Sequence, residues 1–152
     1  KPEAVIKMLI TKKDVVLTPY RVKIPEDPSS IKYTVSFEDD KKISTLPGDL
    51  VEIKQGPAGL MLIHRRVFEK LMENYPRLKM KNKKDNYLYN FWDTTFDLDK
   101  GLWRGEDVSF CNLVRESDFK IYANIKSETT HHGNFGWKGK FGDSLEIKKD
   151  TQ

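Results

Sequence analysis

Gly105-Glu106-Asp107-Val108-Ser109-Phe110-Cys111-Asn112-Leu113-Val114 is the stretch whose reading decides the rest of the chain. Val108, Cys111 and Val114 recur at helical spacing, so a helix runs from Gly105 to Ser117 with one apolar face. Glu106 and Asp107 then fall in its first turn, where unpaired backbone N–H groups and the macrodipole favour negative charge. That placement alone stabilises the helix. The same field keeps Asp107 ionised at neutral pH, and an ionised carboxylate within hydrogen-bond reach of a hydroxyl can act as a general base.

Upstream, Pro2 opens a helix in which Val5, Ile6, Leu9 and Ile10 form the apolar face. Asp14-Val15-Val16-Leu17 reads as a buried strand closed by Thr18-Pro19, with Tyr20 to Lys23 continuing extended. Ile31 to Phe37 reads as a strand, Asp39 to Lys42 as a hairpin turn and Ile43 to Leu46 as the return strand. Leu50 to Lys54 and Leu60 to Ile63 are further strands, interrupted by Gly56-Pro57-Ala58-Gly59. A helix with Val67, Phe68, Leu71 and Met72 on one face ends before Pro76. Tyr87 to Phe96 is aromatic-rich and partly extended, Lys120 to Ala123 is a short strand, and the glycine- and lysine-rich last thirty residues read as irregular.

Composition bounds the possibilities. The chain has 152 residues, 38% of them hydrophobic and 33% charged, which fits one soluble domain spanning residues 1–152. Its single cysteine, Cys111, cannot form an internal disulfide. With no signal peptide recognisable, this favours a cytoplasmic setting. No apolar run approaches the roughly 20 residues that span a bilayer. The net charge of +4 arises from 27 basic and 23 acidic residues. Much of the excess lies in Lys79-Met80-Lys81-Asn82-Lys83-Lys84, which reads as a solvated loop rather than a nucleic-acid patch, since no reading motif accompanies it.

Chemistry-bearing residues recur near the end. His131 and His132 are two of three histidines. Neighbours in an extended chain point to opposite faces, so at most one can ligate a given metal. His64 reads as structural. Lys138 and Lys140 flank Gly139, a combination that can approach phosphate. Gly56-Pro57-Ala58-Gly59 marks a bulge or a close approach of ligand to backbone, and matches neither a Walker loop nor a dinucleotide fingerprint. Trp103, between two glycine-containing turns, is the tryptophan expected at the surface.

Taken together, these segments resemble the second half of a GT-A-type, family 2-like nucleotide-sugar glycosyltransferase. The resemblance runs from Pro2-Glu3-Ala4-Val5-Ile6-Lys7-Met8-Leu9 through Val15 to Lys23 and Gly56 to Leu71, and on to Gly105-Glu106-Asp107-Val108-Ser109-Phe110-Cys111 and Thr130-His131-His132-Gly133. It is nearest to the glycosyltransferase-like proteins of bacteria, phages and large viruses. It implies an α/β fold, a Rossmann-like mixed sheet with flanking helices. It also implies a nucleotide-diphosphate-sugar donor, a sugar or glycan acceptor, and a divalent metal, manganese or magnesium. By the same resemblance Asp107 is the general base, Glu106 orients the acceptor and His131 completes the metal site. Pro57, Ala58, Gly59 and Trp103 line the substrate pocket, and Lys138 meets the donor diphosphate.

The family's Asp-x-Asp motif and N-terminal nucleotide-binding half are not found in this sequence. Asp97-Leu98-Asp99 has the letters in the wrong place and reads as a turn. The remaining metal ligands are therefore expected from an upstream half, and the isolated chain is expected to be inactive. Three alternatives stand beside this reading: a non-catalytic, partner-binding remnant of the same fold, a nucleic-acid-binding module, and a metal-dependent phosphoester hydrolase. The transferase reading expects Asp107 and His131 to face one cleft from opposite walls.

Overall fold

Consecutive β-branched and leucine side chains at Val15–Leu17 (β1) are buried on both faces, as befits the inner strand of a covered sheet. The computed structural model describes residues 2–27, 29, 31–38, 43–84 and 86–145. Around β1 lie Leu50–Ile53 (β2), Met61–Ile63 (β3) and Ile121–Asn124 (β8) in the spatial order β2-β8-β1-β3. The sheet is mixed. β8 runs parallel to β1, with Val16 opposite Tyr122, whereas β2 and β3 are antiparallel to their neighbours.

Helices cover both faces. Pro2–Ile10 (α1) lays Met8 against Val16, Leu50 and Tyr122. On the other face, Arg65–Asn74 (α2) and Glu106–Glu116 (α3) pack Val67, Leu71, Phe110, Cys111 and Val114 against Val15, Leu17, Val51 and Ile53. The chain is thus a three-layer α/β domain. No helix among the described residues is long and apolar enough to cross a membrane.

Three small ribbons surround this core. Lys79–Lys81 (β4) pairs with Tyr87–Tyr89 (β5), Thr95–Asp97 (β6) with Leu102–Arg104 (β7), and Glu128–His132 (β9) with Gly136–Lys140 (β10). Residues 98–101 form the turn between β6 and β7, so Leu98 and Asp99 lie in a turn as read, whereas Asp97 ends β6 and is ion-paired to Arg104.

Several sequence expectations are corrected. Ala4 and Met8 are the buried side of α1, and Val5, Ile6, Leu9 and Ile10 lie outward, Ile10 at 70% exposure. With apolar residues on both sides of a nine-residue helix, periodicity cannot say which side faces the sheet. Residues 31–37 make isolated bridges, Tyr33 to Arg21 and Ser36 to Gln55, instead of a strand. Ile43 to Leu46 yields one bridge, Leu46 to Leu50. The turn assigned to residues 39–42 lies outside the described residues. The last thirty residues are not wholly irregular, since β9 and β10 form a five-residue-by-five-residue hairpin within them. The lysine run is partly strand β4.

Candidate functional site

Parallel strands β1 and β8 end on the same side, and in open α/β sheets ligands gather beyond such carboxyl ends. The chain leaves β1 through Thr18 and Pro19 to Tyr20. It leaves β8 through Asn124, whose Oδ1 accepts Ser127 N–H at 2.8 Å and turns it into the β9–β10 hairpin. That hairpin is fastened to the exit of β1: Thr129 Oγ1 donates to Pro19 O at 2.9 Å and Arg21 Nη1 to Lys138 O at 3.2 Å. Helix α3 leads into β8, so its N-terminus lies at this end too.

Asp107 is half-buried in the first turn of α3. Burial pushes its carboxyl above the ordinary aspartate range; the Ala58 backbone N–H, which it accepts, pulls it back down, and the neighbouring Glu106 pushes it up again. The net direction is upward, which makes the carboxylate a stronger proton acceptor than a solvated aspartate. Glu106 is exposed. Asp107, Pro57, Gly56, Gln55 and Tyr33 line a hollow of about 330 Å³. Gln55 Nε2 donates to Asn112 Oδ1 at 2.8 Å, tying its wall to α3.

His131 stands on β9 with its ring 4.2 Å from that of Tyr20, centroid to centroid. Its Nδ1 lies 2.8 Å from Arg21 O. A carbonyl can only accept, so Nδ1 carries a proton and, in the neutral ring, Nε2 is left with its lone pair. Metal-ligating histidines are commonly oriented this way. His131 shares a wider, open hollow of about 800 Å³ with Tyr20, Gly59, Glu128 and Lys138. Lys138 Nζ is 3.3 Å from Glu128 across the hairpin. His132 is exposed and lines the same hollow as His131. His64 accepts Arg66 N–H through Nδ1 and caps α2, a structural role.

The expectation of a single cleft is corrected. Asp107 and His131 line two separate hollows, and Tyr20 lines the one that holds His131. Its ring lies on His131, and its phenol is raised first by burial and then by the charges of Asp107 and Glu106. Gly59 makes this possible, because a Cβ there would stand 2.6 Å from Tyr20 Cε1. Tyr20 is the residue that sequence reasoning passed over, and a tyrosine directly after a strand's Thr-Pro end was the available signal. Trp103 lines neither hollow. It is 68% exposed on β7, opposite Phe96, and lies outside the pocket to which it was assigned.

Another hollow, about 490 Å³, lies beside β2, and its charged walls are joined in pairs, Lys120 to Glu52 at 2.9 Å and Arg115 to Glu38. Cys111 is buried, donates weakly to Gly56 O at 3.6 Å, and has its thiol pushed up to about 11 by burial, so it packs the core instead of acting as a nucleophile.

His131 offers one imidazole, oriented through Nδ1, and no group of three metal-ligating side chains occurs among the described residues. The arrangement can thus supply a raised carboxylate, one oriented imidazole and flanking lysine charge. No protein-family model, characterised protein or solved structure matches the chain.

Proposed function

We propose that the chain is the acceptor-side portion of a GT-A-type glycosyltransferase, which moves a sugar from a nucleotide-diphosphate donor to an acceptor hydroxyl. The observation that carries this reading is Asp107. It is a carboxylate at a helix N-terminus beyond the carboxyl ends of the parallel strands, half-buried, raised in basicity and held by the Ala58 N–H. In an inverting transfer, the acceptor oxygen forms a bond to the anomeric carbon while its proton passes to Asp107. The bond from that carbon to the diphosphate oxygen breaks, and its electron pair leaves with the diphosphate.

The other residues take supporting parts. Glu106, exposed beside Asp107, orients the acceptor. Pro57, Ala58 and Gly59 bring backbone close to the substrate. Lys138 adds positive charge near the donor phosphates. His131 Nε2 would hold manganese or magnesium together with ligands contributed from elsewhere, and the bound metal would offset charge on the departing diphosphate. Tyr20 packs on His131 and feels the charges of Asp107 and Glu106.

The test is donor-dependent transfer by the full-length gene product, wild type against Asp107→Asn, with manganese supplied. Loss of a positioned general base lowers kcat by about 10²–10⁴-fold, with donor KM little changed. A second reading, a non-catalytic remnant of the same fold, is favoured by one observation: Lys138 is paired with Glu128 at 3.3 Å. Under that reading the same protein binds donor or partner and turns nothing over.

A further inference from the structure

The hairpin of β4 and β5 concentrates the chain's charge. Residues 77–89 contain five basic side chains (Arg77, Lys79, Lys81, Lys83, Lys84) and one acidic one, Asp85, an excess equal to the net +4 of the whole chain. The rest of the molecule is therefore balanced, and the basic character of the protein resides on one ribbon.

Its side chains are also sorted by face. Lys79 lies opposite Tyr89 and Lys81 opposite Tyr87, so alternation puts these two lysines and two tyrosines on one side and Met80 and Leu88 on the other. The lysines lie over the aromatic surface, with Lys79 Nζ 4.4 Å and Lys81 Nζ 5.4 Å from the Tyr87 centroid. Arg77, on the short 3-10 turn that precedes β4, lies 5.7 Å from the Tyr75 ring. Tyr89 stacks on buried Phe91 at 5.4 Å, which anchors the ribbon to the core. Tyr87 is 62% exposed. At the tip, Asn82 Oδ1 accepts the backbone N–H groups of Lys84 and Asn86, so the turn is hydrogen-bonded.

We propose that this ribbon binds single-stranded nucleic acid, with the lysines on phosphates and Tyr87 under a base. Cations in a row with interleaved aromatics match a strand that carries one charge and one planar ring per unit. A lipid surface fits less well, because the tip, Asn82 to Asn86, carries no apolar residue to insert. The site is separate from Asp107 and does not depend on the transferase reading.

The experiment is fluorescence anisotropy of labelled oligothymidylate and oligouridylate of about 16 nucleotides, titrated with the protein at several salt concentrations. Three to five neutralised phosphates predict a slope of log K against log salt of about −2 to −3.5. Tyr87→Ala should weaken binding by about 5- to 150-fold, the loss of one stacked base. Lys79→Gln with Lys81→Gln should make the slope shallower by about 1.4. Asp107→Asn should bind as wild type. Circular dichroism checks that each variant is folded. A slope near zero, or no binding to either oligonucleotide, overturns the proposal. So does binding that Tyr87→Ala leaves unchanged and that heparin or phosphatidylserine vesicles match at equal charge, since that outcome is general polyanion attraction.

Discussion

Replacing Gly59 with alanine tests the junction on which the site depends. The added Cβ would stand 2.6 Å from Tyr20 Cε1, 3.3 Å from Cδ1 and 3.5 Å from Cζ. Ordinary contact begins at 3.4 Å, so the ring must retreat by about 0.8 Å, the difference between the first distance and that threshold. The ring cannot retreat freely, because the His131 ring packs against it at 4.2 Å, tilted by 49°, and is itself held by Arg21 O at 2.8 Å. Forced overpacking of this kind costs about 1–3 kcal/mol, which lowers Tm by about 2–12 °C for a chain of this size. Thermal unfolding measures the cost, and the proton shifts of the His131 ring measure loss of the ring contact. The decisive comparison is a double-mutant cycle. Tyr20→Ala removes the obstacle, so Gly59→Ala should cost almost nothing in that background. A Gly59→Ala protein as stable as wild type, or one equally destabilised with and without Tyr20, refutes the reasoning.

Other consequences are as direct. Phe110 is fully buried between Trp92 at 3.9 Å and Phe68 at 6.1 Å, so Phe110→Ala should cost about 3–5 kcal/mol in denaturant unfolding. The Cys111 thiol, buried and raised to about 11, should resist a thiol reagent at pH 8 in the native state and react at once after unfolding. Asp107 has a raised carboxyl in the folded chain, so the folded state holds its proton to higher pH than the unfolded one. Stability from this group therefore falls as pH rises from the unfolded pKa through the folded one, and Asp107→Asn, which can still accept the Ala58 N–H, should not lower Tm at pH 7. The same shift places the acid limb of the pH dependence of kcat/KM above the ordinary aspartate value of about 3.9.

The elements that the sequence reveals are those whose burial is set locally. Val15 to Leu17, with every residue buried, could only be an inner strand. Val67 with Leu71, and Cys111 with Val114, repeat at helical spacing on helices that have a polar side to contrast. Where contrast is missing, the pattern fails, as on α1. It also fails where pairing is remote or the strand is short: β9 is wholly polar and β10 carries two glycines, and the cues were the β-branched Thr129 and Thr130 and the buried Trp137. The lysine run became a strand because tyrosines six to ten residues on pair with it, which no local window contains. For the candidate site, the place of Asp107 in the first turn of its helix was legible from the helical spacing that follows it. The packing of Tyr20 on His131 was not, because it depends on the hairpin folding back over the end of β1, a contact between residues 110 positions apart.

The most direct measurement is glycosyl transfer by the full-length gene product, followed with a radiolabelled nucleotide-sugar and its released diphosphate in the presence of manganese. Wild-type protein should convert donor in an acceptor-dependent manner, Asp107→Asn should lose about 10²-fold or more in kcat, and both should bind donor alike. Transfer that survives the Asp107→Asn change undiminished would contradict the account.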